Sequence, residues 1–165
     1  MPVISIKGEY VQREAMESDS NISNLLRKSL VIARKLKVKE FEEWVSLELN
    51  GYDGFSRDSI PKYRRINGQL QGILPYSNWI PVEFESDEIT KLVTQPEVKT
   101  TITEIESLSK DEGQFLIWKL ATKQKMIIAE WIQEEIEDYR LTFPTQQFKT
   151  IVNTVRNIIL RRYIR

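Results

Sequence analysis

Glu48-Leu49-Asn50-Gly51-Tyr52 and, nine residues further on, Pro61-Lys62-Tyr63-Arg64-Arg65 are the two segments that decide the fold of this chain. They place a carboxylate, two tyrosines and two arginines on either side of a loop that begins where a predicted helix ends. Charged groups this close to an apolar helix face form either a structural ion-pair network or a recognition site. Residue chemistry alone leaves both interpretations open.

The carboxylate of Glu48 is expected to point into the protein. A helix is predicted over residues 38–50, with Phe41, Trp44 and Val45 as its apolar stripe, and Gly51 is expected to end it as a left-handed cap. Glu48 follows these residues at helical spacing and therefore shares their face. Because an unpaired buried carboxylate is costly, Glu48 needs a cationic partner. The candidates are Arg64, Arg65 and Arg156.

The chain before this helix is predicted to be helical as well. Short polar side chains at residues 19–21 are typical of a helix start, and the apolar residues that follow recur at steps of three and four. They are Ile22, Leu25, Leu26, Leu30, Ala33 and Leu36. The pattern predicts a helix over 20–36 that forms a hairpin with the next one. Residues 1–19 are expected to be an N-terminal arm or a short helix.

Downstream of residue 52 the pattern changes to period two. Alternation predicts strands over 63–75, 79–84 and 139–143, and Pro81 would place the second strand at an edge or lie at its start. Helices are predicted over 87–94, 114–135 and from residue 145 to the C-terminus, with one further helical turn over 103–108. The early part of 114–135 is a strand in the alternative interpretation. Its apolar residues, among them Phe115, Trp118, Met126, Ile127 and Trp131, are expected in the core.

These elements define the expected architecture. We predict one α+β domain over residues 1–165, mainly helical, with helices packed on a small antiparallel β-sheet. A chain of 165 residues is long enough to bury one core without disulfides or metals.

The amino-acid composition excludes several classes of function. Lys plus Arg and Asp plus Glu each number 24, so no global field steers the molecule toward nucleic acid. The absence of cysteine and histidine removes thiol chemistry, most triad hydrolases and imidazole metal sites, and favours the cytoplasm. Glu48, Asp53 and Asp58 offer a carboxylate Mg²⁺ site whose spacing fits no known pattern. We therefore assign no catalytic residue, no metal ligand and no cofactor, and expect no membrane partner.

Two further sets of residues are candidates for binding. Arg27 and Lys28, near the N-terminus, and Arg161 and Arg162, in the last helix, are candidate contacts to a nucleic-acid backbone or a solvated basic face. The apolar end formed by Ile158, Ile159, Tyr163 and Ile164 is a candidate surface for homo-oligomer formation.

The chain resembles the AbiTii domain family. The resemblance rests on Glu48-Leu49-Asn50-Gly51-Tyr52, Pro61 with Tyr63-Arg64, and Val155-Arg156-Asn157, and it spans residues 20–160. That family occurs in bacteria, commonly at the N-terminus of larger proteins linked to abortive infection. Here the chain stops just after the last predicted helix, so the resemblance implies a stand-alone form or part of a longer protein. Arg161 and Arg162 depart from the more acidic and apolar ending of the family.

The resemblance implies a role in anti-phage defence. We predict a non-catalytic interaction or regulatory module that binds a partner protein or effector domain or oligomerises. By analogy, Glu48, Tyr52, Tyr63, Arg64 and Arg156 form a recognition or structural cluster. The alternatives are a toxic effector enzyme, such as a metal-dependent nuclease built on carboxylates and arginines, and a nucleic-acid-binding module.

Overall fold

The structure is a computed structural model that describes residues 2–17, 19–132 and 134–163, with side chains over 8–17, 19–132 and 134–162. The helices are α1 (Pro2–Met16), α2 (Ile22–Leu36), α3 (Lys39–Asn50), α4 (Asp87–Thr94), α5 (Ile102–Ser109), α6 (Thr122–Trp131) and α7 (Gln146–Tyr163). The strands are β1 (Gln69–Ile73), β2 (Trp79–Pro81), β3 (Phe115–Lys119) and β4 (Asp138–Pro144). The predicted α+β class is confirmed.

The first three helices follow from local signals. Asn21 caps α2 by accepting a hydrogen bond from the backbone of Asn24 at 2.9 Å. Lys37, in the left-handed conformation, ends α2 and leads within two residues into α3, which packs against it. Gly51 ends α3 with a positive φ of 91°, but its ψ of 174° is extended rather than left-handed helical. Residues 2–16 form a helix, which settles the choice between a helix and an arm.

The four strands form one antiparallel sheet in the order β2-β1-β4-β3. β2 is an edge strand, and Pro81 ends it after three residues, in keeping with the edge position predicted from this proline. β3 is the opposite edge. The central strands carry the buried positions, including Leu70, Leu141 and Phe143, on the face that meets the helices.

The predicted helix over 114–135 is wrong in its first half. Residues 115–119 form β3, a new helix begins at Thr122, and α6 ends at Trp131. The side chain of Gln124 accepts a hydrogen bond from the backbone of Ala121 at 2.9 Å and so starts the helix. The alternative interpretation, in which the early part is a strand, is the one observed.

The predicted strand over 63–75 is too long. Residues 62–64 form a short 3-10 turn, and the strand proper begins at Gln69. The turn directs the side chain of Arg64 into the interior, where it is fully buried. The helical turn predicted over 103–108 is the longer helix α5.

The core lies between the sheet and helices α2, α5 and α7, which pack on one another. Fully buried apolar side chains at this centre are Ile22, Leu25, Leu26, Ile102, Ile105, Val155 and Ile159. In the described residues, none of the helices combines the length and the apolar character needed to cross a membrane.

Candidate functional site

The carboxylate of Glu48 is buried beside the guanidinium of Arg64, and neither side chain is exposed to solvent. Nη2 of Arg64 lies 2.5 Å from Oε2 of Glu48, and Nε lies 3.4 Å from Oε1. This two-point contact between a guanidinium and a carboxylate is the strong form of a charge-assisted hydrogen bond. Arg64 is therefore the cationic partner that the sequence required for Glu48.

Two tyrosines complete the coordination of this carboxylate. The hydroxyl of Tyr52 donates to Oε1 of Glu48 at 2.8 Å, and that of Tyr63 donates to the same oxygen. Tyr63 in turn accepts a hydrogen bond from the indole N–H of Trp44 at 2.9 Å. Burial, followed by the charge of Glu48, raises the pKa of both phenols well above their ordinary value, so both remain protonated donors.

The remaining donors of Arg64 reach the backbone of a neighbouring segment. Nη1 donates to the carbonyl of Val98 at 2.8 Å and to that of Thr100 at 2.6 Å. The guanidinium also lies 4.6 Å from the ring centre of Tyr52. The cluster of Glu48, Tyr52, Tyr63 and Arg64 thus joins α3, the 3-10 turn at 62–64 and the segment 97–100.

This arrangement leaves the carboxylate of Glu48 little freedom for chemistry. Both of its oxygens accept hydrogen bonds from protein groups, and the side chain has no contact with solvent. Asp53 and Asp58, suggested with it as a magnesium site, are exposed. Across the described residues, no group of three or more acidic side chains is placed to hold a metal ion.

Arg156 lies outside this cluster. Its guanidinium donates to the carbonyls of Glu17 at 3.0 Å and Ser20 at 2.8 Å, and to the hydroxyl of Ser20. Burial lowers the pKa of Arg156, although the negative charges of Glu106 and Asp19 act to raise it. The structure therefore brings together four of the five residues grouped by sequence and uses the fifth to fix α7 to the link between α1 and α2.

Arg65, the third candidate partner for Glu48, pairs elsewhere. Nε of Arg65 lies 3.4 Å from Oε1 of Glu97, and Nε of Arg57 lies 2.7 Å from the same oxygen. Arg65 and Glu97 also form an isolated backbone bridge. These contacts hold the start of segment 97–100 against the chain that leads into β1.

The basic residues proposed as nucleic-acid contacts are partly engaged within the protein. Lys28 pairs with Glu14 at 2.6 Å, and this hydrogen bond raises the pKa of Lys28. Arg162 lies 5.5 Å from the ring centre of Phe41, and Arg27 donates to Asn24 at 3.1 Å. Arg161 is exposed. Nucleic-acid binding by these four residues stays a prediction.

The C-terminal end predicted for homo-oligomer formation is described only at Ile158 and Ile159, and association through it stays a prediction. Ile159 is fully buried and Ile158 is half-buried. The side chains of Tyr163 and Ile164 lie outside the described residues. Because α7 packs against both α1 and α5, its apolar stripe is used inside the fold.

Sequence reasoning missed a set of large apolar side chains that are exposed on β3 and α6. All of them except Ile117 were expected in the core, yet between 39 and 64 per cent of each is exposed. We call this set the β3–α6 surface: Phe115, Ile117, Trp118, Met126, Ile127 and Trp131. The assignment to the core was wrong because the spacing of apolar residues in a sequence does not distinguish side chains that the fold buries from those on an interaction surface. The enrichment of residues 115–118 in aromatic and branched side chains was the available signal for a strand.

Two clefts meet at Trp118, which packs edge-on against Phe143 at 5.5 Å between ring centres. The larger, of about 600 Å³, lies between β3 and the segment 97–100. The smaller, of about 230 Å³, lies between α4 and α6, and Ile127 lines it together with Trp118. The volume of the larger cleft is in the range of binding pockets.

The buried cluster and the larger cleft are physically connected. Val98 and Thr100, whose carbonyls Arg64 holds, are wall residues of this cleft. Asp53, from the loop after α3, is also part of the wall. The ion pair that the sequence singled out therefore lies behind the wall of this cleft, with both side chains away from solvent.

The family model for AbiTii matches residues 9–164, nearly the whole chain. The chain belongs to the AbiTii family, whose name indicates a role in the abortive-infection response of bacteria to phage. Searches of curated proteins and of solved structures find no match.

Proposed function

We propose that this protein is an interaction module of a bacterial abortive-infection system and that the β3–α6 surface binds its protein partner. The single observation that carries the proposal is the exposure of six large apolar side chains on two consecutive elements. Large apolar side chains left exposed on neighbouring elements of a folded protein mark interaction sites, because leaving them in water forgoes about 25 cal/mol for each Å².

The composition of this surface favours a protein over a nucleic acid. Interfaces with nucleic acids are strongly basic, whereas protein interfaces are enriched in aromatic residues and methionine at their centre. The β3–α6 surface contains Phe115, Trp118, Trp131 and Met126. The cations of the two elements are Lys119, Lys123 and Lys125, of which Lys125 pairs with Asp138. Trp118 and Trp131 are the side-chain type most often responsible for binding energy.

The buried cluster contributes to this function indirectly. Arg64 fixes the carbonyls of Val98 and Thr100, so the cleft beside β3 keeps its shape before a partner arrives. A preformed site avoids the entropic cost of ordering its wall during binding. The nuclease alternative would require Glu48 as a metal ligand, and its two oxygens are already bound by Arg64 and two tyrosines.

Phage plating on bacteria that express the protein tests the proposal. Trp131→Glu, on the β3–α6 surface, should lose protection while the purified variant keeps the melting temperature of the unsubstituted protein, since the side chain is 58 per cent exposed. Val31→Glu is the matched control, because Val31 is 50 per cent exposed on α2 and lies outside this surface. Full protection by a folded Trp131→Glu variant would overturn the proposal.

A further inference from the structure

Among the described residues, no strand lies beside the outer edge of β3. In the sheet order β2-β1-β4-β3 it is one of two edges, and the other, β2, is three residues long and ends in Pro81. Short length, proline and charged side chains, lysine above all, are the usual protections of an edge strand. β3 has five residues, Phe-Leu-Ile-Trp-Lys, and of these protections it carries only Lys119, at its end. An open apolar edge of this kind is a template for pairing with another chain.

The direction of the free backbone groups follows from the ladder between β3 and β4. The backbone N–H of Thr145 donates to the carbonyl of Gln114 at 3.0 Å, which makes these opposed residues a hydrogen-bonded pair. Because such pairs alternate along an antiparallel ladder, Leu116 and Trp118 also bond to β4. Pro144, opposite Phe115, has no N–H and fits this alternation.

The intervening residues therefore point their backbone groups away from the sheet. They are Phe115, Ile117 and Lys119, all of them exposed. Each presents one N–H and one C=O at the edge, spaced as a further antiparallel strand requires. The edge is thus equipped with backbone donors and acceptors as well as with apolar side chains.

We propose that a second copy of this chain adds its own β3 to this edge, antiparallel and centred on Ile117, so that the two sheets become one. The inference rests on the proposed function and names the partner of the β3–α6 surface. In this register Ile117 faces Ile117 of the second copy, and Phe115 faces its Lys119. All three residues of each copy whose backbone groups point away from β4 are then paired. If the register shifts by two residues in either direction, one of the three has no residue opposite it.

The charges favour a second copy. Lys119 is the cation of β3, and the register places it opposite the aromatic ring of Phe115 rather than opposite another lysine. The formal net charge of the chain is 0, so two copies meet without long-range repulsion. A two-fold axis between two copies of the same strand requires this kind of self-complementary pattern.

The exposed apolar side chains of this edge lie on both faces of β3. Phe115 and Ile117 share the face of Lys119, and Trp118 points to the other face. From their exposed fractions, these three side chains offer on the order of 300 Å² of apolar area per copy, against about 800 Å² per partner in a standard interface. The backbone and polar atoms of the paired strands add to this area.

Cysteine cross-linking tests the register, because the chain contains no cysteine of its own. Opposed residues of a hydrogen-bonded antiparallel pair lie about 5.5 Å apart between Cα atoms, a separation that a disulfide spans. Ile117→Cys should therefore form a covalent dimer under mild oxidation. Phe115→Cys and Lys119→Cys should each fail alone and cross-link when mixed, because the register opposes these two positions.

Sedimentation of the unsubstituted protein and of Ile117→Pro provides the second measurement. The N–H of Ile117 points away from β4, so proline there removes no hydrogen bond from the ladder of the protomer. We expect the unsubstituted protein to be a dimer and Ile117→Pro to be a monomer with the far-ultraviolet circular dichroism of the unsubstituted protein. Unchanged dimerisation of Ile117→Pro would overturn the inference.

The outcomes separate this inference from the proposed function. A monomeric protein whose Ile117→Cys variant does not cross-link overturns the inference, and the proposed function stands if Trp131→Glu still abolishes protection. A dimer that cross-links at another position also overturns it. Cross-linking in the stated pattern, together with full protection by Trp131→Glu, supports the inference and refutes the proposed function.

Discussion

Arg64 and Val98 are joined by two hydrogen bonds in opposite directions. The backbone N–H of Val98 donates to the carbonyl of Arg64 at 2.8 Å, and Nη1 of Arg64 donates back to the carbonyl of Val98 at 2.8 Å. The second bond depends on the buried ion pair with Glu48, which orients the guanidinium. A residue of α3 therefore acts, through Arg64, on the wall of the cleft beside β3.

A double-mutant cycle tests this coupling. Glu48→Gln and Arg64→Met each leave buried polar groups without their partner, and we expect each to lower the free energy of unfolding by about 3–5 kcal/mol. The double variant should lose clearly less than the sum, because no uncompensated charge remains. Urea denaturation measures all four free energies. Additive losses would contradict the direct interaction between the two side chains.

The tyrosines predict a dependence of stability on alkaline pH. The folded state raises the pKa of Tyr52 and Tyr63 above the ordinary value of 10.0. Their contribution is therefore fully present below about pH 10 and is lost as the pH rises, because the unfolded phenols ionise first. Each phenol that stays protonated in the fold adds about 1.4 kcal/mol per pH unit to the slope.

Comparison with a variant isolates this effect from other titrating groups. Tyr52→Phe removes one of the two raised phenols, so its free energy of unfolding should fall less steeply above pH 10 than that of the unsubstituted protein. Denaturation at a series of alkaline pH values provides the measurement. Parallel curves for the two proteins would show that Tyr52 titrates normally in the fold.

Two glycines provide a matched test of how closely the backbone at the end of α3 packs against Lys99. Gly51 and Gly54 both have positive φ, 91° and 82°, which disfavours any side chain. A Cβ at Gly51 would lie 2.8 Å from the carbonyl oxygen of Lys99, whereas one at Gly54 meets nothing within 4 Å. Gly54→Ala should cost about 1–2 kcal/mol, the strain of the backbone alone. Gly51→Ala should cost more, and equal losses in thermal denaturation would contradict this close packing.

The parts of the fold that the sequence predicts are those with local causes. The stripe of α2, its cap at Asn21 and the edge position of Pro81 each depend on neighbouring residues and on general rules. The burial of Glu48 follows from its spacing after Phe41 and Val45. The pairing of Glu48 with Arg64 could be predicted because few arginines could reach Glu48.

The remaining parts depend on contacts between distant segments. Arg156 binds the backbone at Glu17 and Ser20, which sequence spacing does not place near α7. The break between β3 and α6 depends on the side chain of Gln124, a weak local signal. Trp118 and Trp131 have the sequence pattern of core residues, and only the three-dimensional arrangement leaves them exposed.

The central claim is that the exposed β3–α6 surface binds the partner, while the buried cluster around Glu48 serves stability. Phage plating of Tyr63→Phe beside Trp131→Glu tests it most directly. Tyr63→Phe removes the hydroxyl that donates to Glu48 and accepts from Trp44, and should lower the free energy of unfolding by about 1–3 kcal/mol yet keep protection at a temperature where the variant is folded. Trp131→Glu should keep its stability and lose protection. Loss of protection by folded Tyr63→Phe, with full protection by Trp131→Glu, would contradict the claim.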